Sequence, residues 1–488
     1  MQKIKNKAIN FFVLRNKYIA EEYVPYIQSH MEEHKKHRVR HWIRLFKLNV
    51  HYRVLRRPPY LYETTESSET IKNPVQHTGN IVKSAVDSTK KTKSVNPASS
   101  AEVAYLIHLM ETQMHVQRID SIELYFLEVN YKREFSFGAW PSRLHCCVCV
   151  TIDNASGWGE ICLPIYEGKT KEDVIRQITK DFKPWQGVNI ERAKFLVKER
   201  RGKTPDRVLE ALDMALVDLD ARLHGKSALE YLGLPGEYSV PALSCVLQKD
   251  IKAAAELAHQ LATTHLKIKL FGDNVSDYNL VKAVRAVIPQ SCYLVGDVNM
   301  GYAPGKQFQP FNRDIVRALS NLREAGLNAC EDPANLSWEG LAQLQHELPD
   351  MAIIPDEPMR PSYKILEQIT PVPGHIYNLH PNCMGSLTAT VELARKLRNG
   401  GANVMIGDSS LIGPACTAWQ QVACGVFAEW CEALEKPIES TKFTDCIIST
   451  PMQTLSDGRR QIARYAPGFG LIVDKNKLAE NSVAVIRI

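Results

Sequence analysis

The sequence predicts an α/β protein in which a (β/α)-type barrel follows an α+β segment and a basic helical N-terminal extension. From residue 239 onward, short apolar runs alternate with helical patterns, as parallel βαβ units require. Before residue 239, two strand-like runs precede one long amphipathic helix. Residues 1–60 hold 14 Lys and Arg against 4 Asp and Glu, whereas the whole 488-residue chain has a net charge of +6. The basic character therefore belongs to the first segment, and the remainder is mildly acidic.

The first segment, residues 1–60, has the pattern of a basic amphipathic helix interrupted near Pro25. Four histidines share one helical face in it: His30, His34, His37 and His41. They suggest a metal site or a pH-sensitive surface, but a solvated or docking face is favoured because no Cys or carboxylate set accompanies them. Contact of this segment with nucleic acid or an anionic membrane is a further interpretation that charge alone supports.

Residues 61–117 are predicted to be a linker ending in a short helix. The composition from 61 to 98 is rich in Ser, Thr, Lys and Asn, which is typical of disorder. A capping box at Ser99–Glu102 opens a helix that runs to about Thr112. The chain contains no apolar run of membrane-spanning length and no clean secretory signal, and its 12 cysteines lack C-x-x-C pairs. These features predict a reducing, cytoplasmic location.

Residues 118–238 are predicted to form an α+β domain. The runs 121–131 and 144–152 have strand character, and a strong helix starts at Thr204-Pro205 and ends at Gly225. The motif HCCVCV at 145–150 alternates along its strand, so Cys146 and Cys147 should point to opposite faces as small buried thiols rather than bind a metal.

Residues 239–449 are predicted to form the barrel, whose active site would lie at the C-terminal ends of its strands. Residues 450–488 are too short for a domain and should return to pack on the α+β domain. Eight strand runs are predicted: 241–247, 265–271, 292–297, 327–331, 351–356, 375–380, 402–407 and about 443–449.

Charged residues follow consecutive runs at the predicted strand ends. Lys267 and Lys269 share one face of a strand. Asp297, Glu331 and Asp356 end three later runs, 34 and 25 residues apart, which leaves room for one helix between strands. Three converging carboxylates would repel one another unless a divalent cation with oxygen ligands joins them. The sequence therefore predicts a metal site with two lysines beside it.

The ordered motifs KIK at 267–269, GDVN at 296–299, EDP at 331–333 and DE at 356–357 resemble the enolase superfamily, in particular its mandelate racemase and muconate-lactonising branch. GWGE at 157–160 and PGFGLIVD at 467–474 resemble the two ends of its capping domain. The resemblance covers roughly residues 118–488. Four ordered motifs on successive strands are far more specific than any one of them.

The resemblance implies a modified (β/α)8, TIM-like barrel under an α+β capping domain, with one Mg²⁺ and Mn²⁺ as a possible substitute. Asp297, Glu331 and Asp356 would be the metal ligands, and Lys269 the general base or acid. Lys267 would lower the pKa of Lys269 by its like charge. The implied reaction is removal of the proton α to a carboxylate through an enediolate, as in racemases, epimerases, cycloisomerases and dehydratases.

Other residues receive supporting roles. Asn299, Asp332 and Glu357 are expected to orient water or the lysines. His380 stands where relatives often carry a catalytic Lys or Asp, and Ile412 where many carry Glu. His380 is interpreted as a second acid/base that Asp408 orients; alternatively it is a satisfied polar residue or binds substrate.

The substrate is expected to be a small carboxylic acid. Trp140, Arg143 and Tyr166 are candidate pocket residues, although Trp140 or Arg143 packing the domain interface is an equal alternative. Family resemblance favours a homo-oligomer. The competing hypothesis, suggested by the departures at His380 and Ile412 and by the basic extension, is a non-catalytic binding or scaffold protein on the same barrel.

Overall fold

A computed structural model describes residues 117–135, 138–165, 170–234 and 236–488. The predictions for residues 1–116, including the four histidines, and for Tyr166 lie outside these residues. Within the described ranges, no helix has both the length and the apolarity that crossing a bilayer requires.

The strands are β1 Ser121–Val129, β2 Arg133–Phe135, β3 Gly138–Trp140, β4 Ser142–Ile152, β5 Ala155–Ile165, β6 Ser239–Val240, β7 Leu243–Val246, β8 His265–Lys269, β9 Tyr293–Asp297, β10 Ala329–Glu331, β11 Ala352–Ile354, β12 Ile376–Leu379, β13 Asn403–Ile406, β14 Ile447–Ser449, β15 Met452–Thr454, β16 Arg460–Ile462, β17 Ile472–Val473 and β18 Ala484–Arg487. The helices are α1 Lys171–Phe182, α2 Ile190–Glu199, α3 Asp206–Leu223, α4 Ala228–Leu232, α5 Ile251–Leu261, α6 Asn274–Val287, α7 Arg313–Glu324, α8 Trp338–Glu347, α9 Ser362–Gln368, α10 Leu387–Asn399, α11 Pro414–Gly425, α12 Thr441–Thr444 and α13 Lys475–Asn481.

The capping domain is an antiparallel sheet in the order β18-β1-β4-β5, with the long helix α3 packed on it. Its two faces bury different clusters, because side chains alternate along a strand. Cys146 faces the cluster that includes α3, whereas Cys147 and Cys149 face a second cluster with Trp158. All three are buried free thiols, so the predicted alternation is confirmed.

The GWGE motif brings β5 unusually close to α3. A Cβ atom at Gly157 would lie 2.1 Å from the carbonyl oxygen of Ala215, and one at Gly159 would lie 2.1 Å from that of Ala211. Only glycine allows the strand backbone to approach the helix backbone so closely. The two glycines therefore fix the position of Glu160, the last residue of the motif.

The barrel runs in the order β7-β8-β9-β10-β11 as one parallel sheet, and β12 and β13 form a second parallel pair next to β11. The segment around Cys431 closes the ring through parallel bridges to Ala242 and Ile406. The predicted eighth run, 443–449, is wrong as a barrel strand, because β14 pairs antiparallel with β17 outside the ring. The fold class is confirmed as a TIM-like barrel under a capping domain.

Apolar side chains fill the middle of the barrel, which leaves the strand ends for polar groups. Val295, Ala329, Ile354 and Met405 belong to this inner cluster together with Trp430. A larger cluster packs the outer faces of the strands against the helices. The barrel is thus a filled core rather than a pore, as expected for this architecture.

Candidate active site

A cavity of about 800 Å³ opens at the C-terminal ends of the barrel strands, with Trp140, Cys162, Pro164 and Arg207 of the capping domain on one wall. It brings together most of the predicted site residues: Trp140, Lys267, Lys269, Asp297, Asn299, Glu331, Asp332, Asp356, Glu357, His380 and Asp408. Arg143 is not among the lining residues.

Lys267 and Lys269 reach the strand ends side by side, as their period of two predicts. The ammonium of Lys269 donates to the Oδ2 of Asp297 and, at 2.8 Å, to the Oδ1 of Asn299. The register explains the first contact, because Lys269 lies opposite Asp297 in the parallel ladder. The Lys267 ammonium contacts three carboxylates, those of Asp297 at 3.5 Å, Glu331 at 3.2 Å and Glu432 at 2.6 Å.

Glu331 lies next to Asp297 in the ladder and is fully enclosed. Its Oε2 accepts from Lys267 and its Oε1 accepts from Asn378 Nδ2 at 2.9 Å. Burial and the adjacent charge of Asp297 raise the pKa of Glu331 well above its ordinary value. The Lys267 ammonium and the Asn378 amide therefore do not fully compensate the cost of a charge on Glu331.

Asp356 is held by two side chains from its own side of the barrel. Its Oδ1 lies 2.9 Å from the Nδ1 of His380, and its Oδ2 accepts from the guanidinium of Arg360. Although burial acts to raise the pKa of Asp356, Arg360 and His380 hold it well below its usual range. The Nη2 of Arg360 also lies 2.8 Å from His380 Nδ1, so that nitrogen either donates to Asp356 or accepts from Arg360.

Asp332 fixes the loop that carries Asp356. Its two carboxylate oxygens accept the backbone N–H groups of Asp356 at 2.8 Å and Glu357 at 3.0 Å. Burial and the charge of Asp356 raise the pKa of Asp332 to about 8. The carboxylate of Glu357 accepts from Arg360 Nη1 at 2.8 Å. Asp332 therefore orients the site through the backbone rather than through a lysine.

The pKa of Lys269 differs from the predicted direction. Burial lowers it and the like charge of Lys267 lowers it further, but the Asp297 carboxylate outweighs both and leaves the pKa above its ordinary value. Although burial acts to raise the pKa of Asp297, the two ammonium groups lower it below the ordinary value. Lys267 thus lowers the pKa of Lys269 as predicted, but the effect of Asp297 is larger.

Backbone strain concentrates around the cavity. Seven described residues other than glycine have positive φ angles, and five of them line this cavity: Asn299, Met300, Asp332, Asn382 and Ser410. Such conformations cost free energy and persist where the surrounding structure enforces them, often at functional sites. The loops after β9, β10, β12 and β13 therefore contain strained backbone conformations where they line the cavity.

The structure tests the roles predicted for three further residues, Asp408, Arg143 and Trp140. Asp408 is not the partner of His380, because its Oδ1 accepts from Lys436 at 2.9 Å while His380 faces Asp356. Arg143 is buried, forms an ion pair with Glu439 and donates to the carbonyl of Tyr131 at 3.1 Å, which favours the alternative that it packs the structure. Trp140 lines the cavity.

Ile412 reveals how the capping domain and the barrel are joined. Its backbone N–H donates to Glu160 Oε1 at 2.9 Å, and the N–H of Gly413 donates to Glu160 Oε2 at 2.9 Å. The same Oε1 lies 3.0 Å from His145 Nδ1. The buried carboxylate of Glu160 therefore holds the loop after β13 against β5 by hydrogen bonds.

The carboxylates suit a divalent cation by type and charge but not by their present arrangement. Eight carboxylates line the cavity against six Lys and Arg side chains: Asp297, Glu331, Asp332, Asp356, Glu357, Asp408, Glu432 and Glu435 against Arg207, Lys267, Lys269, Lys306, Arg360 and Lys436. Oxygen donors with excess negative charge are what Mg²⁺ selects. Among the described residues, however, no group of three His, Cys, Asp or Glu side chains is arranged to hold a metal. Binding one requires the predicted ligands to leave their present partners.

Two residues of the network, Glu432 and Arg360, are not predicted from the sequence. Glu432 follows the short closing segment at Cys431, which forms only isolated bridges and has no strand-length apolar run. Arg360 lies one turn beyond Asp356, after the 3₁₀ turn Glu357–Met359. The spacing of four residues between a strand-end aspartate and an arginine is a sequence signal that could have predicted the role of Arg360. The role of Glu432 could be predicted only once the segment that closes the ring was known.

Residues 249–477 match the family model described as enolase C-terminal domain-like. Comparison with curated protein sequences finds no match. Among solved structures, a dipeptide epimerase from Cytophaga hutchinsonii, complexed with Mg and a dipeptide, is 17% identical with a TM-score of 0.62, covering 76% of this chain and all (100%) of that one.

Two further structures have the same fold. The N-succinyl Arg/Lys racemase from Bacillus cereus is 17% identical with a TM-score of 0.61, covering 76% of this chain and 100% of its own. The muconate lactonizing enzyme from Pseudomonas fluorescens is 18% identical with a TM-score of 0.60, covering 75% and 100%. Residues 249–477 are therefore similar to an enolase C-terminal domain-like region, and the chain shares the fold of the dipeptide epimerase, the racemase and the muconate lactonizing enzyme.

Proposed function

We propose that this chain is a Mg²⁺-dependent enzyme that removes the proton α to a carboxylate through an enediolate, an isomerase or lyase of the racemase, epimerase, cycloisomerase or dehydratase type. The observation that carries the proposal is the contact of Lys269 with Asp297 and Asn299 inside a cavity lined by buried strand-end carboxylates. The enzymes named among the similar structures, including one complexed with Mg, add support.

The chemistry assigns separate tasks to the lysines. A proton α to a carboxylate is weakly acidic, because its loss places a second negative charge on the substrate. Asp297, Glu331 and Asp356 would hold the cation, which supplies Lewis-acid stabilisation of that charge when bound. Lys269 is the group that returns or takes the proton. Its contact with Asp297 keeps its pKa above the ordinary value, so it is protonated as an acid in this arrangement, and its role as the base requires that Asp297 leave it. Lys267, with three carboxylate contacts, keeps Glu331 and Glu432 in place.

His380 is proposed as the second acid/base. Its Nδ1 faces Asp356 and Arg360, so Nε2 is the ring atom available for transferring a proton in the cavity. An acid and a base from two different strand ends suit racemisation or epimerisation, and they equally suit elimination and cycloisomerisation. The proposal therefore specifies the proton that moves, and the subsequent step depends on the substrate.

The test is incorporation of deuterium at the α carbon. The full chain is incubated with Mg²⁺ and a panel of carboxylic acids in D₂O, and the products are read by NMR. Lys269→Ala should slow incorporation by about 10²- to 10⁴-fold, the usual contribution of a general acid or base. Lys252→Ala, on the exposed surface of α5, is the control. Absence of incorporation across the panel, in protein shown to bind Mg²⁺, would contradict the proposal.

A non-catalytic binding barrel is the second candidate, favoured by the way Arg360 and His380 occupy both oxygens of Asp356. The same experiment separates the two. A binding protein should retain carboxylic acids in equilibrium measurements without placing deuterium at the α carbon, and Lys269→Ala should leave that retention unchanged.

A further inference from the structure

Arg207 is a cation on the capping-domain wall of the cavity. It lies in the first turn of α3, where the positive end of the helix dipole makes a cationic side chain unfavourable. Its guanidinium makes one hydrogen bond among the described residues, a long one of 3.5 Å from Nη1 to the carbonyl of Cys162. Helix stability and packing thus give little reason for a cation here.

The other buried cations of the cavity are all matched. Lys267 and Lys269 pair with Asp297, Arg360 pairs with Asp356, and Lys436 pairs with Asp408. In contrast, Arg207 has no carboxylate within ion-pair distance in the described part of the chain. A half-buried arginine that lines a cavity and has no acidic partner among the described residues suits an anion that arrives with a ligand.

Arg207 and the loop after β12 contact the same backbone carbonyl. The carbonyl of Cys162 that Arg207 contacts also accepts from Asn382 Nδ2 at 3.1 Å. Asn382 belongs to the loop after β12 and is two residues from His380. Arg207 is therefore placed beside the capping-domain edge of that loop, on a different element from the lysines of β8 that would meet the α carbon.

We propose that Arg207 binds a second carboxylate of the substrate, remote from the one whose α proton is removed, and that the substrate class is dicarboxylates. The inference rests on the proposed function for the reacting end. The cavity is rich in acidic residues, so a dianion entering it is repelled unless a cation meets the distal group. Guanidinium is the side chain best matched to a carboxylate, because two parallel N–H groups can donate to its two oxygens.

The first measurement uses the unmodified full chain. Succinate, glutarate, adipate, pimelate and suberate are titrated by calorimetry in Mg²⁺ buffer, each beside its monoamide, which removes only the distal charge. A dicarboxylate of matching length should bind at least about tenfold more tightly than its monoamide, as charge-assisted hydrogen bonds predict. Equal affinities across the series would overturn the proposal without any variant.

The second measurement assigns the preference to Arg207. Arg207→Gln should abolish the preference for the dicarboxylate and leave the monoamide affinity within about twofold, whereas Arg207→Lys should keep part of it. Arg192→Gln, on α2 and paired with Glu199 away from the cavity, should behave like the parent chain. A preference that survives in Arg207→Gln overturns the proposal, and if this variant does not fold, the series on the unmodified chain decides.

Deuterium incorporation separates this inference from the reaction itself. An Arg207-dependent preference with no α-deuteration keeps the second anion site and rejects the proposed chemistry. Deuteration of monoamides and dicarboxylates alike, unchanged in Arg207→Gln, keeps the chemistry and rejects the site.

Discussion

The ammonium of Lys267 lies 2.6 Å from the Oε2 of Glu432, a residue 165 positions away that ends the segment closing the barrel. Both side chains are nearly inaccessible to solvent, at 5% and 10% exposure. Lys267 also contacts Glu331, so one buried cation ties the second barrel strand to both the fourth and the closing segment. The ammonium of Lys267 therefore stabilises both the candidate active site and the closure of the barrel.

Replacing Lys267 should destabilise the fold. Lys267→Met leaves two enclosed carboxylates without their ammonium partner, and loss of one member of a buried ion pair costs about 3–5 kcal/mol. Urea unfolding in metal-free buffer measures the change. Lys171→Met, which removes an exposed pair with Glu128, is the control and should alter stability little. Equal effects of the two substitutions would argue against Lys267 as a structural charge.

Removing Arg360 should increase the affinity for divalent metal. A guanidinium on Asp356 competes with a cation for the same oxygen, and one charge-assisted hydrogen bond is worth about 1.5–3 kcal/mol. Arg360→Gln should therefore bind Mn²⁺ at least about tenfold more tightly, as measured by electron paramagnetic resonance of the free ion. Arg398→Gln, which loses a pair with Glu429 instead, should match the parent chain. Weaker binding in Arg360→Gln would mean that the arginine supports the metal site.

Glu210 should make stability pH-dependent. Burial raises its pKa from 4.5 to about 7, although the backbone N–H groups of Asn382, Met384 and Gly385 partly offset burial. Because the folded-state pKa is raised, its contribution to stability is complete below pH 4.5 and is lost as the pH rises through 7. Between these two pH values, the unfolding free energy of the parent chain should fall relative to that of Glu210→Gln, by up to about 3 kcal/mol.

Denaturant unfolding at several pH values reads this difference directly. Glu256→Gln, on the exposed surface of α5, controls for general charge effects. A difference that stays constant from pH 4.5 to 7 would show that Glu210 is already ionised throughout.

Glu160 should protect the loop after β13 from opening. Its two oxygens accept the N–H groups of Ile412, Gly413 and, at 3.3 Å, Ala415. In Glu160→Gln one of those oxygens becomes an N–H donor facing other donors, which costs about 1–3 kcal/mol. Hydrogen exchange read by mass spectrometry should become faster in peptides covering 411–416. Glu123→Gln, which breaks a pair with Lys475 elsewhere in the capping sheet, should leave those peptides unchanged.

Much of the fold was predictable because its signals are local. The period of two placed Lys267 and Lys269 on one face, and the helix-length intervals placed Asp297 and Glu331 on neighbouring strands. The packing of GWGE on α3 was not derivable from spacing, since it depends on backbone atoms of Ala211 and Ala215 that meet the glycines only in three dimensions.

The errors occurred where contacts are non-local. The eighth strand was misplaced because Cys431 closes the ring through single bridges, whereas the more strand-like run near 447 pairs elsewhere. The partner of His380 was wrong because the orientation of the loop after β11, which brings Asp356 to it, is set by Asp332 accepting backbone N–H groups. Sequence spacing shows which residues reach the cavity but not how they pair once there.

The pairing of β18 with β1 has a consequence for the order of assembly during translation. Residues 484–487 hydrogen-bond to the edge of the first described strand, so that sheet gains its outer strand only after this stretch has left the ribosome. The strands β7 to β11, each paired with its neighbour in the chain, and the closing segment at Cys431 all precede this stretch, so the barrel can form first. Until then, the edge of β1 remains open to other extended chains, and a ribosome stalled late in the message would present an intact barrel beneath an incomplete sheet.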